Sequence, residues 1–95
     1  MPAYVIANIH VKDAEGYKEY MKLSGPSLEA HGGRFLVRAG DTTALEGNWE
    51  TGRLIVLEFP DSTTARKWWN SPDYLKAREI RERTAIADLV LVEGV

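Results

Sequence analysis

Ninety-five residues give room for one small domain, which by area scaling buries roughly 65% of the surface its unfolded chain exposes. Twelve basic against 14 acidic residues leave a net charge of -2, too weak a field to draw in nucleic acid or an anionic membrane. No cysteine is present, which excludes disulfides, thiolate nucleophiles and zinc–thiolate sites, and no apolar run approaches the roughly 18 residues of a spanning helix.

Met1-Pro2-Ala3-Tyr4 runs into a strand without a basic leader, so a cytoplasmic location is expected. From Ala3 to Val11 a β-branched apolar run admits polar residues only at Asn8 and His10, two apart, which predicts a strand with one wetter face. Asp13 is placed to cap a helix in which Tyr17, Tyr20, Met21, Ser24 and Leu28 recur at spacings of three and four. Gly25-Pro26 is expected to break or kink that helix, and His31-Gly32-Gly33 to end it through a left-handed glycine. In Arg34-Phe35-Leu36-Val37-Arg38, strict alternation turns Phe35 and Val37 toward the helices and Arg34, Leu36 and Arg38 away.

The stretch between Gly40 and Gly52, containing Ala44-Leu45-Glu46-Gly47-Asn48-Trp49, reads as a short strand or an extended hairpin arm. Arg53 to Phe59 is the plainest strand, with Leu54, Val56 and Glu58 on one face and Ile55, Leu57 and Phe59 on the other. A turn at Pro60-Asp61-Ser62-Thr63-Thr64 leads into a helix carrying Ala65, Trp68 and Trp69. It pauses at Asn70-Ser71, where Ser71-Pro72 supplies a fresh cap and a proline in the first turn for a helix over residues 73–83. Ile86 to Val92 closes the chain as a last strand, and no repeat or linker divides residues 1–95.

This order predicts an α+β fold of the ferredoxin-like type, β-α-β-β-α-β, with a four-stranded antiparallel sheet and its helices on one face. Ile6, Leu36, Leu54 and Val56 would then lie on the open face, and a second copy of the chain is the economical cover. Two sheets packed about a two-fold axis would enclose a space lined by Asn8, Arg38 and Glu58.

Gly32-Gly33, Leu45-Glu46-Gly47, Glu58-Phe59-Pro60, and Trp68 followed by Ser71-Pro72-Asp73-Tyr74 and Arg78 together resemble the domain-of-unknown-function family 1330 (DUF1330), within the dimeric α/β-barrel superfamily. The resemblance spans nearly the whole chain. It implies a ferredoxin-like homodimer; the wider superfamily includes cofactor-independent monooxygenases, haem-degrading enzymes and muconolactone isomerases, all acting on small organic molecules. The nearer family has no settled activity, and a shared fold warrants a small-molecule site rather than a reaction type.

Two classes of function compete on these residues. In the first, Arg38, Glu46 and Glu58 form a charged cluster, the arginine gripping a ligand carboxylate and a desolvated glutamate accepting a proton, and no cofactor is required. Glu58, Arg38 and Tyr74 are the catalytic candidates. Asn8, Trp68, Ser71 and Arg78 join them as pocket candidates, Tyr74 and Arg78 sharing a helix face four residues apart. In the second, the chain is a non-enzymatic binding or structural dimer module, where the same charges only fix the register of two sheets. Ser71 reads more simply as a helix cap than as a nucleophile. His10 and His31 show no metal-ligand spacing, so no metal is expected, and the strands lack the basic field that a nucleic-acid surface needs.

Overall fold

A computed structural model describes all residues from Met1 to Val95. In chain order the elements are β1 (Ala3–Val11), α1 (Ala14–Ala30), β2 (Arg34–Arg38), β3 (Arg53–Phe59), α2 (Ser62–Trp69), α3 (Pro72–Thr84) and β4 (Ala85–Glu93). The four strands form one sheet in the order β2-β3-β1-β4, with every neighbouring pair antiparallel. This is the expected ferredoxin-like arrangement, its second helix divided at Ser71.

Alternation decides which residues meet the helices. Along β1, Ala3, Val5, Ala7 and Ile9 are buried while Tyr4, Ile6 and Asn8 are half-buried on the reverse side; along β3, Ile55, Leu57 and Phe59 face inward and Leu54, Val56 and Glu58 outward. The inward residues join Tyr17, Tyr20 and Leu28 of α1, Ala65 and Trp68 of α2, and Tyr74 and Ala77 of α3 in one core. Trp68 lies at its centre, its ring centroid 4.1 Å from Tyr74 and 5.3 Å from Phe59. Such aromatic pairs add about 0.5–1.5 kcal/mol each beyond the area they bury.

Side-chain caps mark the helix starts. The Asp13 carboxylate accepts from Gly16 N–H at 3.1 Å, Asp61 from Thr64 N–H at 2.7 Å, and Ser71 Oγ from Tyr74 N–H at 3.3 Å. At the end of α1, Gly32 adopts φ 77°, and Gly33 and Gly32 donate back to the Leu28 and Glu29 carbonyls, a Schellman cap. A Cβ at Gly33 would overlap Leu28 and Phe59, so the chain enters β2 through a gap only glycine fits.

Two expectations need correction, and for the segment between Gly40 and Gly52 one of two alternatives drops out. Gly25-Pro26 does not break α1, which continues to Ala30. Pro26 stands on the exposed side, so the hydrogen bond it removes faces water, while Ser27 and Leu28 bury beside it and Ser27 Oγ donates to the Ser24 carbonyl at 2.8 Å. No strand forms between Gly40 and Gly52; residues 40–52 make an exposed arm with Leu45 and Trp49 in solvent. Strict alternation also fails in β2. Phe35 pairs with Leu57 but Val37 pairs with Val56, so Leu36 is the extra residue of a β-bulge. Beyond it the faces swap: Val37 joins Val56 on the open side, and Arg38, opposite Ile55, turns to the helix side.

Candidate functional site

Between the inward face of the sheet and helices α1, α2 and α3 lies a cavity of about 40 Å³. Its walls are Ala7, Ile9, Ile55, Leu57 and Leu89 from the sheet, Tyr17, Tyr20, Met21, Ser24 and Leu28 from α1, and Trp68 and Tyr74 from the last two helices; Phe35, Arg38 and Arg53 complete the rim. That volume holds a few water-sized groups, with polar handles few and aromatic surface abundant.

Tyrosine spacing on α1 and the cap at Ser71 build the inner wall. Tyr17 and Tyr20 sit one turn apart with centroids at 5.2 Å, and Ser71 fixes the first turn of α3 so that Tyr74 enters the core fully buried. The Tyr20 and Tyr74 hydroxyls meet at 3.1 Å, each the other's partner across the two helices. Burial pushes the Tyr20 phenol far above its ordinary value, and the neighbouring Tyr74 hydroxyl adds to the effect. Burial also raises Tyr17, against the opposing pull of the Arg53 and Arg81 guanidinium groups. No aspartate, glutamate or histidine lines the cavity.

Arginines stand around these rings. Arg38 lies over Phe35 at 4.4 Å, Arg53 over Tyr17 at 5.6 Å and Arg81 over Tyr20 at 5.9 Å. Arg81 is only 5% exposed, and the Nε atoms of Arg53 and Arg81 are both buried without a hydrogen-bond partner. The chain's ion pairs join Lys18 to Glu15, Lys22 to Glu19, His31 to Asp73, Arg34 to Glu58 and Arg78 to Glu82, leaving Arg38, Arg53 and Arg81 without a carboxylate.

Of the residues singled out in the sequence, this cavity gathers Arg38, Trp68 and Tyr74 and separates the others. Glu58 projects from the open face and pairs with Arg34 at 2.6 Å, so it and Arg38 lie on opposite sides of the sheet. Asn8, also on the open face, clasps the arm: its Oδ1 accepts from Gly52 N–H at 2.8 Å and its Nδ2 donates to the Glu50 carbonyl at 3.3 Å. Glu46 is exposed within that arm. Ser71 is a cap whose hydroxyl donates to the Trp68 carbonyl at 2.7 Å. Arg78 lies over Trp69 at 4.2 Å, and Trp69 rather than Trp68 is the half-buried member of the tryptophan pair. No three histidine, aspartate or glutamate side chains gather closely enough to hold a metal ion.

Sequence reasoning missed Tyr17 and Tyr20 as site residues, treating them as core, and missed Arg53 and Arg81 altogether. A signal for Arg81 was present: Tyr74, Ala77, Arg81 and Thr84 form the buried stripe of α3, so an arginine occupies a core position.

A family model described as Domain of unknown function (DUF1330) matches residues 2–95. Among solved structures, a protein of unknown function from Rhodopseudomonas palustris superposes with a TM-score of 0.80 at 19% identity, over 99% of this chain and 82% of that one. A dimeric ferredoxin-like protein of unknown function from Jannaschia sp. gives 0.73 at 13% identity, over 99% and 100% of the two chains. SnoaB, a cofactor-independent oxygenase from Streptomyces nogalater, gives 0.67 at 11% identity, over 99% and 93%. No curated protein matches the chain. These likenesses establish the ferredoxin-like fold, no helix is long and apolar enough to cross a membrane, and the match over residues 2–95 means that the chain belongs to the DUF1330 family.

Proposed function

We propose that the chain works as a homodimer in which each subunit binds a small organic molecule between its own sheet and helices, and acts on it without a cofactor. The observation that carries this reading is the aromatic cavity lined by the Tyr20–Tyr74 hydroxyl pair, a polar contact set in a mostly apolar wall. Arg38, Trp68 and Tyr74 serve as ligand contacts from the set read in the sequence. Glu58 takes its place on the dimer face, where its pairing with Arg34 helps to fix the register.

The open face supports the dimer. Val90, Ile6, Val56 and Val37 form an unbroken apolar row across all four strands, and Val92, Tyr4, Glu58 and Arg34 form the next. Val90 is 59% exposed and Ile86 60%, a surface that a lone subunit would leave in water. The Jannaschia protein of the same fold is described as dimeric, and the Streptomyces protein as an oxygenase needing no cofactor. Oxygenase chemistry of that kind is the enzymatic form of the proposal.

A second reading, a binding module without catalysis, draws on one specific observation. The cavity lining contains no carboxylate or imidazole, and burial raises the Tyr17 and Tyr20 phenols and so holds them protonated, so the wall offers no base poised near pH 7.

Native mass spectrometry of gently purified protein tests the common part. A dimer carrying an extra mass that leaves on denaturation is the expected result, and a bare monomer would refute both the pairing and the pocket. Incubating the released molecule with protein in air and under argon then separates the two forms. Replacement of two hydrogens by one oxygen in air alone, the second oxygen atom of O2 leaving as water with the substrate's two hydrogens, identifies the oxygenase, and an unaltered molecule identifies the module.

A further inference from the structure

We infer that the molecule taken by the sheet–helix cavity is a small carboxylate with an apolar tail, its carboxylate seated between Arg38 and Arg53 in the field of Arg81. The inference rests on the small-molecule reading above and adds the ligand's charge and shape.

Charge imbalance is the first ground. The chain is net negative at -2, yet the cavity lining holds two guanidinium groups, Arg38 and Arg53, and no carboxylate, with Arg81 beside the lining residue Tyr20. Arg38 stands opposite Ile55 in the β2–β3 ladder and Arg53 lies two residues from Ile55 on the same face, so the two are diagonal neighbours. Such neighbours lie about 7–8 Å apart, and like charges so placed repel. An anion between them turns that repulsion into attraction.

Unused donors are the second ground. Arg53 Nε is buried without an acceptor, Arg53 Nη2 reaches the Met21 sulfur at 3.7 Å, a weak acceptor, and the guanidinium is otherwise addressed only by the neutral Tyr17 phenol. Arg81, 5.9 Å from the Tyr20 ring centroid, buries its Nε without an acceptor as well. Each buried N–H left without an acceptor costs about 1–3 kcal/mol, which stacking of the guanidinium on tyrosine offsets in part. A protein keeps such a cost where a ligand relieves it.

Shape then selects the anion. A guanidinium fork matches a planar carboxylate with two parallel hydrogen bonds. The wall behind it is apolar, with Tyr17, Met21, Phe35 and Leu57 around a space of about 40 Å³, which suits a short hydrocarbon tail better than a hydrated phosphate dianion.

The test compares butyrate with butyramide, equal in shape and different in charge, and with inorganic phosphate, at matched ionic strength. Arginine Nε–H resonances and the melting temperature are followed together. Butyrate is expected to shift the Arg53 and Arg81 Nε–H signals saturably and to raise Tm, while butyramide binds at least about tenfold more weakly, the factor expected for a charge-assisted hydrogen bond. Arg53→Met should abolish that preference, and the wild-type resonances keep the test decisive if this variant does not fold. Equal binding of acid and amide overturns the carboxylate while leaving the small-molecule reading intact. Preference for phosphate overturns it too. Binding of neither probe, in protein that retains a native adduct, overturns the inference alone; binding of neither without an adduct removes both.

Discussion

The Tyr20–Tyr74 pair can be taken apart one hydroxyl at a time. Each hydroxyl is buried, 3.1 Å from the other, and neither makes another hydrogen bond within the chain. Tyr20→Phe or Tyr74→Phe alone strands the remaining hydroxyl in an apolar wall, which costs about 1–3 kcal/mol for the lost bond and the unpaired group. For a domain of this size each kcal/mol lowers Tm by about 4–8 °C. The double replacement removes both hydroxyls, keeps both rings and leaves nothing unpaired, so its cost falls short of the two single costs by about 1–2 kcal/mol. Urea unfolding of the four proteins, read through the buried Trp68 and run at one protein concentration, gives this coupling directly. Additivity of the two single effects to within about 0.5 kcal/mol would refute the mutual pairing and show that each hydroxyl is satisfied separately.

Alkaline titration gives a second prediction. The folded-state values of Tyr17 and Tyr20 are raised above the ordinary 10.0, so the stability they contribute is complete below pH 10 and is lost as pH rises toward those values, because the unfolded chain ionises first. Phenolate absorbance from these two side chains should therefore appear together with unfolding; their full ionisation near pH 10 in protein that stays folded would contradict their burial. The arm supplies a third. Asn8→Ala removes both clasps on residues 50–52, so glutamyl endopeptidase should cut after Glu46 and Glu50 faster than in the wild type with the sheet intact, and an unchanged cleavage rate would show that the arm is held by other contacts.

How far the sequence could be read depended on whether local pattern decided each feature. β1 and β3 were legible because a strand buried on one face must alternate, and their inward residues are those the period picks out. Asp13, Asp61 and Ser71 were legible as caps because a helix start needs an acceptor at that position. Pro26 misled because the cost of a proline depends on which side of the helix loses its bond, and tertiary packing chooses that side. The site was less legible than the fold. Arg38 lines the inner cavity and not the open face to which alternation assigned it, since one bulged residue reverses everything beyond it and β2 is too short to reveal the slip. Glu58 looked like a carboxylate stranded on an apolar face because its partner Arg34 comes from a strand 24 residues earlier, a register only the folded sheet defines. Arg53 sits at the first position of β3, where an arginine looks like a strand end meeting solvent.

The bulge at Leu36 also joins two surfaces that the sheet otherwise keeps apart. Val37 belongs to the apolar row of the outer face, and Arg38, the next residue, belongs to the rim of the inner cavity. One peptide bond links them in a strand whose ladder is already interrupted on their N-terminal side. Ala39 follows with φ 56°, held by its N–H to the Leu54 carbonyl at 2.9 Å, so the backbone is pinned again immediately beyond. A partner subunit packed on Val37 in the proposed dimer would therefore stand one residue from the Arg38 guanidinium. On the proposed dimer and ligand, the residue that meets a neighbouring molecule and the residue that meets the ligand are opposite ends of the same short rod.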